Sequence, residues 1–209
     1  MTDSNIGMLI RDVDCDEDPV RWRAFLADQG FGHFVAAGSG RAVPVVVPTQ
    51  FVVTETEIVF HLAATNPVFG ALEENPRGLL SVAGDWAFIP GAWKAIGDED
   101  PARGIPTTYY GAVQVVGECT VQTDPAEVAA VLVTQLGALD PAGQYVDPAE
   151  HGARLRQIHG IRLGIENVRA KYKFGGNVDR AHRSAVAERL VARDGPGDRA
   201  ALEQLRRTR

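Results

Sequence analysis

Three short stretches hold the residue types best suited to chemistry. In the first, His61-Leu62-Ala63-Ala64-Thr65-Asn66-Pro67, a strand-like run ends in a hydroxyl, a side-chain amide and a proline. Asn66 suits a cap and Pro67 the start of a helix, whose unpaired amides and dipole favour a phosphate or carboxylate. The Thr65 hydroxyl and the backbone amides could hold that anion while His61 donates a further hydrogen bond. The same pattern also describes an ordinary capped helix beside a partly buried histidine.

The second stretch is Arg169-Ala170-Lys171-Tyr172-Lys173-Phe174. Strand alternation puts Arg169, Lys171 and Lys173 on one face, a positive stripe suited to an anion or to protecting a sheet edge. Lys94, Lys171 and Lys173 are the only lysines in the chain, so this pair stands out. In the third, the aromatics of Trp86 to Trp93 and of Thr107-Thr108-Tyr109-Tyr110 flank a Gly- and Pro-rich stretch, 90–106. They could wall a planar ligand by stacking, or serve as core and rim aromatics.

What the chain lacks narrows the choice. It has no G-x-S-x-G, Walker A, H-E-x-x-H or C-x-x-C pattern. Its five histidines are not spaced as metal ligands, and Cys15 and Cys119 cannot build a disulfide framework, so no metal site is expected. The net charge of −6 disfavours sequence-independent nucleic-acid binding, leaving the Arg-rich segment from Asp179 onward as the one element that could contact nucleic acid. No apolar run approaches the ~20 residues of a membrane span, and the N-terminus is acidic where a signal peptide is basic. The expectation is a soluble cytoplasmic protein with no membrane partner.

The elements that must position these stretches follow from pattern. Asp18-Pro19 starts a helix that Gly30 stops. FGHFVAA, GSGR and AVPVVVPTQFVV read as strand, turn, strand. EIVFHLA (57–63) is a strand, VFGALEE a short helix, and Leu79–Ala83 and Trp86–Ile89 two further strands. A long strand spans Tyr109 to Gln122, and helices start at Asp124-Pro125 and Asp147-Pro148. In the last strand the inward positions are odd at Ile161, Leu163 and Ile165 but even at Val168, Ala170, Tyr172 and Phe174. That switch predicts a bulge or a crossing near Glu166–Asn167. Two amphipathic helices broken at 194–197 close the chain. The expected class is mainly β with α (α+β), an antiparallel barrel with flanking helices and a C-terminal helical tail. Residues 1–178 would form the barrel domain and 179–209 a helical extension.

The order and spacing of FHLAATNP, GDWAFIPGAW, IPTTYYGAVQVVGE and VRAKYKFGGN resemble the PaiB-type family of FMN-binding negative transcriptional regulators, over roughly residues 8 to 190. The resemblance implies a flavin-binding split barrel, similar to pyridoxamine-phosphate oxidases, working as a homodimer with flavin at the subunit interface. Carried over by position, His61, Leu62, Ala63, Thr65 and Asn66 would lie along the phosphate and ribityl side of FMN, with Tyr110 and Lys171 as further wall or anion contacts. The chain departs from the family pattern at Ala64, where the family carries Arg, and at Thr108 and Tyr109, where it carries Trp and Asn. Losing that arginine removes a charge-assisted phosphate contact of ~1.5–3 kcal/mol.

Three functional readings follow: an FMN-dependent oxidoreductase, a PaiB-like regulator, and a split-barrel dimer that has lost its flavin. Deazaflavin or haem could occupy the same cleft. The catalytic residues are unknown, with Tyr110 and His61 the only candidates for proton donation.

Overall fold

The computed structural model describes residues 7–95 and 99–208. Eight strands, β1 (Phe31–Ala36), β2 (Val45–Gln50), β3 (Val52–Val53), β4 (Glu57–Ala63), β5 (Arg77–Ile89), β6 (Thr107–Gln122), β7 (Ile158–Gly164) and β8 (Asn167–Lys173), form one sheet. Its order is β2-β1-β5-β6-β7-β4-β3, with β8 pairing β6 off this path. The helices are α1 (Pro19–Gln29), α2 (Val68–Glu74), α3 (Pro125–Leu139), α4 (Arg180–Arg193) and α5 (Asp198–Arg207). The class is α+β, as the alternation of apolar residues and the hairpin-length connections predict.

The chain divides into two compact units. One comprises Pro19–Val82 and Gln114–Val168. Its core is built from Phe34, Ile58, Phe60, Leu80, Ile161 and Leu163, all fully buried, with the Phe34 and Phe60 rings 5.0 Å apart. Burying each such side chain contributes roughly 1.5–3 kcal/mol. β4 pairs antiparallel with β7 along its whole length, Glu57↔Gly164 through Ala63↔Ile158. Arg77 pairs with Glu166 at 2.8 Å, and Glu166 also accepts the Glu118 amide hydrogen, which holds its carboxyl below the ordinary value.

The other unit comprises Met1–Asp18, Ala83–Val113 and Arg169–Arg209. Tyr109 and Phe174 meet edge-to-face in its core, with centroids 6.0 Å apart. The helices α4 and α5 are separated by Asp194, in the left-handed region, and by the turn that Asp198 fastens to Arg193 and to the Gly195 amide. Gln204 of α5 donates to Asp85 at 2.8 Å.

The phase switch in the last strand is real. β7 ends at Gly164 and β8 begins at Asn167, with Ile161 and Leu163 buried before the break and Ala170, Tyr172 and Phe174 after it. Elsewhere the strands are longer than the pattern implies. The segments 79–83 and 86–89 belong to the single strand β5, which runs through Asp85 although its φ is positive, at 51°. The helix after Asp147 is a 3-10 helix, Pro148–Gln157, kinked at Gly152.

Candidate functional site

His61 is the third residue from the end of β4, before the chain turns into α2, and it is held from outside its own strand. Its Nδ1 lies 2.6 Å from Oε1 of Gln135, a buried residue of α3. With the amide oxygen facing the ring, Nδ1 carries the proton. Nε2 of the neutral ring is then an acceptor, so His61 donates to an anion only as the imidazolium. This is the opposite polarity to the donor role that the residue type alone invites.

The approach of α3 has a local cause. The strand partner of His61 is Gly160 of β7, and a Cβ there would lie 2.7 Å from Val131 Cγ2. Val131 and Gln135 are four residues apart on one face of α3. The missing side chain at Gly160 therefore lets the helix settle close enough for Gln135 to reach His61. Gln135 was not among the expected site residues. The signal for it is a polar residue on the buried side of an otherwise apolar helix face.

Beyond Ala63 the chain makes a tight turn in which the Asn66 amide donates to the Ala63 carbonyl at 2.8 Å. Asn66 Oδ1 accepts the Val68 amide hydrogen at 3.0 Å, so Asn66 caps α2 as its type predicts. That bond uses one of the amides expected to face an anion, and α2 is only seven residues long. The donors left are the side-chain NH₂ of Asn66 and the hydroxyl of exposed Thr65, which makes no hydrogen bond to a described residue. Leu62 pairs with His159, whose ring packs edge-on against Phe69 at 4.8 Å and whose buried Nδ1 has no partner among the described residues. The turn thus offers neutral donors and a histidine but no fixed cation, and its donor set fits a phosphate ester bound without an arginine.

In the other unit, Tyr110 and Lys171 do come together. Lys171 Nζ lies 5.4 Å and Lys173 Nζ 5.8 Å from the centroid of the Tyr110 ring. The stripe on β8 alternates as expected, but its charges have local employment. Lys171 donates to the Leu9 carbonyl at 2.9 Å, Lys173 to the Thr107 hydroxyl at 2.7 Å, and Arg169 reaches Met8 O at 3.5 Å. Burial lowers the pKa of Lys94, and the nearby Lys173 charge adds to the effect.

The aromatics do not form one wall. Tyr109 is core, and burial raises the pKa of its hydroxyl, which has no partner among the described residues. Trp93 lies beneath the Arg193 guanidinium at 4.7 Å. Trp86 and Phe88 are 58% and 50% exposed on β5. The stretch 90–106 is pinned where Gly91 and Gly104 meet backbone to backbone, a contact that a Cβ on either would break. Its residues 96–98 lie outside the described residues.

A family model described as "Putative FMN-binding domain" matches residues 8–167, which include His61 to Asn66 and Tyr110 and stop short of Lys171. The chain is similar to Protease synthase and sporulation protein PAI 2 of Bacillus subtilis (strain 168), with 23% identity over 180 residues, covering 82% of this chain and 84% of that protein. Among solved structures, the flavocytochrome Anf3 from Azotobacter vinelandii superposes with a TM-score of 0.60 at 20% identity, covering 81% of this chain and 74% of its own. The FAD and heme binding protein from Mycobacterium smegmatis gives 0.60 at 17%, covering 84% and 80%. The conserved hypothetical protein Rv2991 from Mycobacterium tuberculosis gives 0.56 at 15%, covering 83% and 95%. At these identities the shared property is the fold, the antiparallel split β-barrel with flanking helices.

Proposed function

The chain belongs to the PaiB-type FMN-binding domain family, and on that premise we propose that it is a homodimeric FMN-binding protein with oxidoreductase activity. The observation that carries the reading is the hydrogen bond between His61 and buried Gln135. It holds a histidine in one tautomer beside an exposed turn with free donors, inside the residues that the family model covers.

The flavin, when bound, supplies the electron and hydride chemistry. The chain's residues bind and orient it. Thr65 and the Asn66 NH₂ would donate to its phosphate, and His61 Nε2 would accept from a ribityl hydroxyl. Leu62 and Ala63 would flank the ribityl chain. In the other unit, Lys171 with the ring of Tyr110 beside it would offer an anion contact and an aromatic face of its own. Self-association is supported by Trp86 and Phe88, neighbouring exposed aromatics on one strand face, since apolar patches of this kind usually mark interfaces.

The test is an absorption spectrum of the purified protein before and after incubation with excess FMN and desalting. A stoichiometric flavin band supports the reading. A colourless protein that also leaves FMN fluorescence unquenched overturns it. FAD and haem, both of which the Mycobacterium smegmatis FAD and heme binding protein takes by its name, are distinguished by cofactor extraction and by a Soret band.

A further inference from the structure

The two C-terminal helices line an open cavity of ≈ 320 Å³. From α4 come Arg180, Arg183, Ser184 and Ala187, spaced as one helix face, and from the end of α5 come Leu205, Arg206 and Thr208. Three arginines and two hydroxyl-bearing residues line it, and among the described residues no acidic one does.

Four arginines elsewhere in the chain are matched to carboxylates. Arg41 pairs with Glu74, Arg77 with Glu166, Arg162 with Glu57 and Arg193 with Asp198. The three that line this cavity have no carboxylate partner among the described residues. Arg180 and Arg206 have no hydrogen bond or ion pair to a described residue, and Arg183 donates only to the Val178 carbonyl, at 2.6 Å. Asp179, next to Arg180 in sequence, caps α4, accepting the His182 amide hydrogen at 2.7 Å. Like charges gathered around one concavity repel one another, and an anion bound among them converts that repulsion into attraction.

We propose that the α4–α5 cavity binds a small phosphate-bearing anion, a phosphomonoester or a diphosphate. Arginine forks match phosphate oxygens two at a time, and the Ser184 and Thr208 hydroxyls can serve the remaining ones. Ala187 and Leu205 leave an apolar wall for a small organic group. A nucleic-acid backbone suits the surface less well, because exposed Glu188 and Glu203 interrupt the positive charge along the same helices. This site is independent of the flavin reading.

The experiment is calorimetric titration of the full chain with inorganic phosphate and with pyrophosphate, at low and at physiological salt, on samples preincubated with FMN. Pyrophosphate is expected to bind, more weakly as salt rises, without displacing flavin. The double variant Arg180→Gln/Arg206→Gln should lose about tenfold or more in affinity. Arg199→Gln, a change at an exposed arginine outside the cavity, should lose nothing. Arg180→Glu alone, at an exposed first-turn position, provides a second test should the double variant fold poorly, and should abolish binding. Absence of binding, equal affinity in these variants, or displacement of FMN by pyrophosphate overturns the proposal. So does a duplex DNA that binds more tightly than pyrophosphate and competes with it. Flavin retention is read from the spectrum of the same samples, so failure of one reading is separable from failure of the other.

Discussion

His61 and Gln135 lie 74 residues apart in the chain, and their side chains meet at 2.6 Å. The contact exists because Gly160 leaves room for α3 against β7. Gln135→Leu removes the acceptor and leaves the Nδ1 proton without a partner, which costs about 1–3 kcal/mol. Gly160→Ala drives the helix away and should weaken the same bond while leaving both partners present. Both variants should show weaker FMN quenching and a lower urea midpoint. Wild-type flavin affinity in Gln135→Leu would remove His61 from the binding site.

The turn before α2 makes a second prediction. Asn66→Ala deletes the acceptor of the Val68 amide hydrogen and should cost about 1 kcal/mol of stability together with flavin affinity. Ala64→Arg should act in the other direction, adding a charge-assisted contact of ~1.5–3 kcal/mol, or about tenfold or more in FMN affinity. Fluorescence titration at two salt concentrations checks both, because only the arginine variant should gain salt sensitivity.

The two cysteines should react very differently. Burial pushes the Cys119 thiol up to about 12, so it stays protonated and inaccessible in the native state. Cys15 is exposed, and its pKa is raised by partial desolvation and by Glu17. A disulfide reagent should therefore modify one thiol, slowly at neutral pH and faster as pH rises and the thiolate fraction grows. Modification of Cys119 before unfolding would contradict this packing.

The Arg77–Glu166 pair should make acid sensitivity measurable. The folded carboxyl titrates below its ordinary value of 4.5 because Arg77 and the Glu118 amide favour its charged form. Its contribution is present above that value and is lost as pH falls through the depressed one. Glu166→Gln should lower stability at neutral pH and flatten the profile below pH 4.5, as read by urea unfolding across pH.

Self-association is tested on β5. Charge introduced at the exposed faces of Trp86 and Phe88, as Trp86→Glu/Phe88→Glu, should convert a dimer to a monomer in light scattering while the far-ultraviolet spectrum is kept. An unchanged mass would move the interface elsewhere.

Much of this architecture is determined by the sequence itself. Apolar alternation and caps set α1 and β4 to their observed bounds, and the inward phase of Ile161, Leu163, Ala170 and Tyr172 forces the break between β7 and β8. These are local effects, because a strand's faces and a helix's first turn depend on residues a few positions apart. The family's spacing, too, is a property of the linear chain. Tertiary structure decided the rest. It joined 79–83 and 86–89 into one strand through the backbone of Asp85, a conformation that residue type does not specify. It turned the lysines of β8 toward Leu9 and Thr107, distant in sequence. It also set the tautomer of His61 through Gln135, because a proton's position depends on the partner that packing brings to the ring.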